Sequence, residues 1–395
     1  MTRVLMLADI RFPLERANGV QIIKTAAALA RAGCETTLVV RDSDPRPTPE
    51  ILALYAIEDV PLLHVKRLSV GHRAGAFALP RLRFLAQATA LSLRELSAGA
   101  LVFTRDLQLA DALLVMKTGA RVFYEAHAVE ALLYRERPKI YGTNERVSEG
   151  KARRLGRREA RVWTRAAGFV TTTSGIRDTF GAAYGARGAT SVIPNGCDVP
   201  ASREFPGLAA ERPPRVLYAG QLYPWKGVDT LVEAMTRVAD ATLVVLGGLR
   251  GESDYARIEA LVAERGLGAR TELHSTVPQV EVARELARAA VVAVPFLKTA
   301  MTERHTSPLK AFEAMAAGRP LVATDLPSSR EFLRDGKNAL LVPPGDAEAL
   351  AAAITSLVSD RTRAECLART AYAEAPQYSW DARAQKLLAL FGEAA

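Results

Sequence analysis

Three cysteines in 395 residues, Cys34, Cys197 and Cys366, are too few and too scattered to staple a fold. An odd, widely spaced set argues against a disulfide framework and a zinc cluster, and fits a reducing, cytoplasmic setting. No apolar run approaches the ~20 residues that a membrane-spanning helix needs. The first strand, VLMLA, is too short for a signal-peptide core, and Asp9 and Arg11 follow it at once. Low-complexity tracts and repeats of solenoid length are also missing. A soluble globular chain of two domains, three at most, is what remains.

Several signatures of chemistry are missing too. No G-x-G-x-x-G follows the first strand, which counts against a nicotinamide-dependent dehydrogenase. There is no G-x-S-x-G elbow, no G-x-x-x-x-G-K-[ST] loop and no His/Cys/Asp/Glu cluster, so neither a metal nor a cofactor is expected. The DSD at 42–44 looks like a metal-binding pair, but it lies in a proline-rich loop with no partner ligands. Chance explains it better.

What is present is positive charge, unevenly placed. The net charge is +9, and residues 1–200 hold 29 Lys and Arg against 19 Asp and Glu, whereas the remainder holds 23 against 24. The densest stretch is KARRLGRREARVWTR (151–165), with seven basic residues, one acid and helical spacing. Such a face suits anionic lipid headgroups or a phosphate-bearing acceptor. It is also what a solvated helix looks like in an Arg-rich protein. Nucleic acid is the weakest reading, because no recognised binding motif accompanies the charge.

Short apolar strands alternate with amphipathic helices, the pattern of doubly wound α/β sheets. The first half predicts strands at 4–8, 36–40, 100–103, 121–126, 168–173 and 190–194, with a helix over 20–31 ended by Gly33. Residues 42–60 and 66–98 predict helices and exposed loops. After the linker ERPP (211–214) the pattern starts again, with strands at 215–220, 241–248, 270–275 and 291–296. Helices are predicted at 227–239, 254–266, 279–289, 346–358 and 362–373. The tail 378–391 predicts one more amphipathic helix, free to cross back onto the first domain. The predicted domains are therefore 1–200, joined by the tail to residue 395, and 201–377. Ligands in such sheets bind outside the carboxyl ends of the strands, so a cleft between two facing domains is expected.

The most informative segment is HTSPLKAFEAMAAGRPLVATDLPSSREFLRDGKNALLVP (305–343). It reads as loop, helix, strand, helix and strand. Ser307 is a suitable N-cap and Pro308 suits the first helical position, while Gly318 and Pro320 stop the helix. A helix start at the end of a parallel strand is an anion site, most often for phosphate. Glu313, about a turn and a half in, can accept two hydrogen bonds from neighbouring hydroxyls, as on a ribose. A diphosphate beside a ribose is a nucleotide.

These residues resemble the nucleotide-sugar site of the family-4 retaining glycosyltransferases, which have the GT-B architecture. The form here is that of the subgroup with an SPLK-type motif. Five further segments resemble family elements in family order: ANGVQIIKTAAALARAG, FYEAH, TTTSGIRDTF, VIPNGCDV and YAGQLYPWKGVDTLVEAM. The resemblance implies that Glu313 holds the ribose and that Lys226 neutralises the leaving diphosphate. It implies that Gly19 lets backbone approach those phosphates and that His127 touches the transferred sugar. Ser307, Pro308 and Leu309 would offer backbone to the phosphates and, with Thr306, wall the donor site. Asn195 and Asp198 fit hinge and turn positions better than ligand positions.

Two positions depart from the family. Its usual pair of glutamates, separated by seven residues, would place the first at His305, which cannot bind two sugar hydroxyls as a carboxylate does. The basic partner of the phosphate-binding lysine falls at Gln221. Arg16, Arg11 and Arg304 are the candidates to supply that charge.

The resemblance implies transfer of a glycosyl group, with retained configuration, from a UDP- or GDP-type donor to a hydroxyl. Positive charge and helix dipoles would stabilise the departing diphosphate. A lipid-linked glycan precursor, met at the cytoplasmic face of an anionic membrane, is the favoured acceptor, and a soluble one stays open. So do a nucleotide-sugar epimerase of the same architecture, a phosphorylase-like enzyme and a non-catalytic binder of sugar nucleotides.

Overall fold

The computed structural model describes residues 1–14, 16–71, 78–117, 120–202 and 204–393. The chain forms two compact units. One comprises Met1–Arg135, Arg146–Pro194 and the last helix; the other comprises Glu136–Glu145 and Asn195–Ser379.

Among the described residues, the first unit has a seven-stranded sheet: β1 (Arg3–Phe12), β2 (Glu35–Asp42), β3 (Leu63–Leu68), β4 (Leu101–Thr104), β5 (Val122–Ala126), β6 (Gly168–Thr171) and β7 (Thr190–Val192). Their spatial order is β3-β2-β1-β4-β5-β6-β7, and every pairing is parallel. The second has six: β8 (Arg215–Ala219), β9 (Thr242–Leu246), β10 (Thr271–His274), β11 (Val291–Val294), β12 (Leu321–Thr324) and β13 (Leu340–Val342). These run β10-β9-β8-β11-β12-β13, again all parallel. Both are α/β Rossmann-like sheets. Each has one point where the chain's winding reverses, between β1 and β4 and between β8 and β11.

The central strands LVFT, GFVT, VVAV and LVAT are buried at every residue. Helices cover both faces of a doubly wound sheet, so such strands read as continuous apolar runs. At the edge the code changes, and this is where the sequence prediction needs correction. LHVKRL (63–68) is a strand, pairing with β2 from Thr36↔Leu63 to Arg41↔Leu68. It has lysine, arginine and histidine among its apolar residues because it is the outermost strand, where charge discourages further pairing.

The final helix, Trp380–Glu393, belongs to the first unit. Leu387, Leu390 and Phe391 are buried, and the Phe391 ring meets Phe103 and Phe123 edge-on at 5.6 and 4.7 Å between centroids. The tail therefore completes the core of the domain in which the chain begins.

Candidate functional site

At the reversal point of the second sheet, β8 is followed by Gly220 and Gln221, and the chain makes one 3-10 turn at Pro224–Lys226. Gly227 follows with φ 72°, and a Cβ there would sit 1.7 Å from the Pro295 carbonyl oxygen just beyond β11. Only glycine fits that position. The Trp225 carbonyl accepts from the amide of Leu297 at 3.0 Å, tying the turn to the rim of β11. As a result the Lys226 ammonium lies over the rings of Trp225 and Phe296, 3.9 and 4.7 Å from their centroids. Burial pushes its pKa down to about 7.

The helix after β11 runs Leu309–Ala316, one residue later than the sequence suggested. Pro308 is its N-cap, and Ser307 does not cap it. The Ser307 hydroxyl instead accepts from the Asn195 amide at 3.0 Å, while the Asn195 side chain donates to the Ser307 carbonyl at 2.7 Å. A side-chain cap has been exchanged for a clasp on the loop before the helix. Thr306 donates its hydroxyl to the Met301 carbonyl at 3.1 Å, and His305 and Pro308 are buried. Leu309 is half-buried at the helix start. Glu313 accepts from the Gln279 amide at 2.7 Å, a contact made by the helix between β10 and β11. Lys310, to which the sequence assigned no role, lies within electrostatic reach of both Lys226 and Glu313. Lys226, after β8, and Glu313, on the helix after β11, therefore both follow the two strands that flank this sheet's reversal point.

The first unit holds a second constellation at the ends of β4 and β5. Gly19 is in the first turn of helix Ala17–Arg31, where a Cβ would meet the Leu14 carbonyl oxygen at 1.8 Å, and Arg16 is that helix's N-cap. His127 follows β5, and its Nε2 lies 2.9 Å from Glu125 Oε1. Glu125 also accepts from Gln21 at 3.2 Å and from Arg383 of the last helix. Arg105, after β4, donates to the Gln21 side-chain oxygen at 3.0 Å. Burial, reinforced by Arg105, pushes the His127 pKa down to about 4. Burial works against ionisation of Glu125 too, but Arg383, His127 and Arg105 outweigh it and hold the carboxylate charged. An ionised carboxylate can only accept, so the proton of the neutral His127 sits on Nε2 and Nδ1 keeps a lone pair.

Sequence reasoning missed Glu125, Arg105, Arg383, Gln279 and Lys310. Two of them left a signal: Glu125 is a carboxylate inside an apolar strand, and Arg383 interrupts the apolar stripe Trp380, Ala384, Leu387, Phe391. Asp42 and Asp44 are engaged by arginines, Asp42 accepting from Arg67 and Asp44 from Arg46. Among the described residues no cluster of three acidic, His or Cys groups could hold a metal ion. No helix of the described residues is long and apolar enough to cross a membrane.

Two family models match the chain. Residues 19–196 fit the model described as glycosyl transferase 4-like domain, and residues 213–360 fit that described as glycosyl transferases group 1. Between them they take in most of the sequence, and the chain belongs to the GT-B glycosyltransferases of family 4. D-inositol 3-phosphate glycosyltransferase of Xylanimonas cellulosilytica is 34% identical over 196 residues, 49% of this chain and 45% of that protein. Phosphatidyl-myo-inositol mannosyltransferase of Mycobacterium leprae is 30% identical over 208 residues, 50% and 52% of the two chains. The chain thus spans about half the length of the curated relatives it matches. Among solved structures, sucrose-phosphate synthase of Thermosynechococcus elongatus superposes with a TM-score of 0.76 at 22% identity, covering 100% of this chain and 99% of that one. Anabaena HepE, in complex with UDP and glucose, gives 0.73 at 18% identity over 100% of both chains. At these identities the likeness is one of fold.

Proposed function

We propose that this protein is a retaining glycosyltransferase, moving a sugar from a nucleoside-diphosphate donor to a hydroxyl. The observation that carries the reading is that Lys226 and Glu313 stand on the segments following β8 and β11, the two strands that flank the reversal point of the second sheet, where open α/β sheets take their ligands, with Lys310 in electrostatic reach of both. Lys226 offers charge to the diphosphate, and the start of helix Leu309–Ala316 offers the positive end of its dipole. Ser307, Pro308 and Leu309, with Thr306, line the backbone approach to that helix. Glu313, oriented by Gln279, accepts from the ribose hydroxyls. The donor is of UDP or GDP type; the HepE complexes contain UDP and UDP-glucose. His305, with one hydrogen bond to offer where a glutamate would offer two, narrows the choice of donor sugar.

The first domain takes the acceptor. Gly19 and Arg16 serve the donor phosphates, and the Nδ1 lone pair of His127 accepts from a hydroxyl of the transferred sugar. Front-face attack by the acceptor, with the departing diphosphate taking its proton, retains the configuration without an enzyme nucleophile. The acceptor is a lipid-linked or cell-envelope glycan precursor. Supporting this, Lys151, Arg153, Arg154, Arg157 and Arg165 are all exposed on helix Glu149–Arg165, and one relative is named a phosphatidyl-myo-inositol mannosyltransferase. Such a face docks on anionic lipid at the cytoplasmic side.

A thermal-shift screen over UDP-, GDP- and ADP-sugars tests the donor, since a ligand of the native state raises its melting point. NMR of the product anomer tests retention. Cosedimentation with anionic vesicles across salt tests docking, which weakens as the Debye length shortens. No stabilisation by any sugar nucleotide would defeat the central reading.

A further inference from the structure

Lys310 has no assigned role, yet its surroundings are those of an unfinished binding site. It is the second residue of helix Leu309–Ala316 and only 8% exposed. Among the described residues its Nζ has no hydrogen-bond partner. The ammonium lies 3.5 Å from the centroid of the Tyr218 ring and 5.6 Å from that of Phe296, the ring that Lys226 also covers. Both lysine heads therefore lie within cation–π reach of one aromatic ring. Gly220 makes room for this, because a Cβ there would sit 2.9 Å from Lys310 Nζ. Beside it, Gln221 has a buried side-chain oxygen with no hydrogen-bond partner, at the position where the family resemblance calls for a cation.

A buried ammonium is costly unless paired and hydrogen-bonded. The groups that face Lys310 are Tyr218 from β8, Lys226 from the 3-10 turn, and Glu313 one turn along its own helix. Burial and Lys226 both lower its pKa, and Glu313 opposes them only in part. Two neighbouring lysines, sharing a ring at a sheet's ligand rim, fit a ligand with two linked anionic centres.

We propose that Lys310 is the second cation of the diphosphate site, contacting the nucleoside diphosphate beside Lys226 and supplying the charge that Gln221 lacks. The inference rests on the donor reading above and adds to it a residue. A bound diphosphate favours the charged form of both amines.

Isothermal titration of wild type and Lys310→Met with UDP, GDP and ADP, and with the matching monophosphates, tests it. For whichever diphosphate the wild type binds, Lys310→Met is expected to lose at least tenfold in affinity while keeping its monophosphate affinity and melting temperature. Equal diphosphate affinity in the two proteins would overturn the proposal. So would equal losses for mono- and diphosphate with a lowered melting temperature, which would make Lys310 a structural plug on Tyr218. Should the variant not fold, wild type alone suffices: saturating diphosphate, but not monophosphate, should slow acetylation of Lys310 at least tenfold in peptide mass maps. Equal labelling with and without diphosphate overturns the proposal. If wild type binds none of the three diphosphates, the donor reading itself falls and this inference falls with it.

Discussion

Arg383, on the last helix, hydrogen-bonds Glu125 at the end of β5 across 258 residues of sequence. Both are nearly inaccessible, with side chains 2% and 3% exposed. The same guanidinium donates to the carbonyls of Ile193 and Pro194, at 2.8 and 2.7 Å, and to the Thr25 hydroxyl at 3.2 Å. One arginine thus fastens the first helix, the fifth strand and the end of the first unit to the returning tail. Through Glu125 it also governs which nitrogen of His127 carries the proton.

Arg383→Met should therefore be severely destabilising. It leaves Glu125 buried without its strongest partner, a change that typically costs about 3–5 kcal/mol. Glu125→Gln in the same background should recover part of the loss, because the orphaned charge goes with it. Urea unfolding of the two single variants and the double variant measures both terms. A loss below about 1 kcal/mol for Arg383→Met would show the clasp to be ornamental.

Glu159 makes a separate prediction for pH. It is fully buried on helix Glu149–Arg165 and accepts from the amides of Glu130 and Ala131 and from the Tyr184 hydroxyl. Burial raises its pKa from 4.5 to about 7, against the pull of those donors. The folded state then holds the proton more tightly than the unfolded chain does. Its contribution to stability is complete below pH 4.5 and is lost as pH rises through 7. Glu159→Gln cannot titrate, and its single side-chain oxygen keeps only part of the hydrogen bonding, an offset that does not change with pH. The wild-type minus variant difference in unfolding free energy should fall steadily between pH 5 and 8. A flat difference would refute the assignment.

Under the proposed donor reading, Lys226 links pH to ligand affinity with the same sign, because the bound state holds the proton more tightly than the free one. Its pKa of about 7 in the free protein leaves it charged below that pH and mostly neutral above. A bound diphosphate favours the ammonium and raises the value. Affinity should be full near pH 6.5 and fall by about tenfold per pH unit above 7.5 for each lysine that must be recharged. Lys226→Arg, which stays protonated, should remove one such dependence. Titration calorimetry from pH 6.5 to 9 reads the slope directly.

The internal strands were legible because burial on both faces writes itself as an apolar run. The edge strand Leu63–Leu68 was not, since its charged residues look like those of a loop. Likewise helix Leu309–Ala316 is legible to within one residue, but Ser307 and Pro308 obey local capping rules only until Asn195 competes for the serine. Asn195 lies 112 residues away, and nothing local announces the pairing. Lys310 and Arg383 share a further difficulty. Each occupies a helical position whose neighbours are apolar, so the face predicts burial while the side chain predicts solvent. Only the arrangement in space shows what each lies against: an aromatic ring for one, a buried carboxylate for the other.

Activity supplies the last prediction. Under the proposed chemistry, Lys226 acts on charge that grows as the glycosidic bond breaks, whereas Glu313 binds hydroxyls that do not change in the reaction. Lys226→Ala and Glu313→Ala should each lower transfer at least tenfold, or ~1.4 kcal/mol of transition-state stabilisation. They should differ in how the loss is divided. Uniform binding appears in KM, and an interaction realised in the transition state appears in kcat. Glu313→Ala should therefore raise the donor KM with little change in kcat, and Gln279→Ala, which only releases the carboxylate's anchor, should do the same more mildly. Lys226→Ala should lower kcat. Steady-state kinetics on a donor identified by the thermal screen makes the comparison. Wild-type rates in both alanine variants would mean that the reaction takes place elsewhere in the molecule.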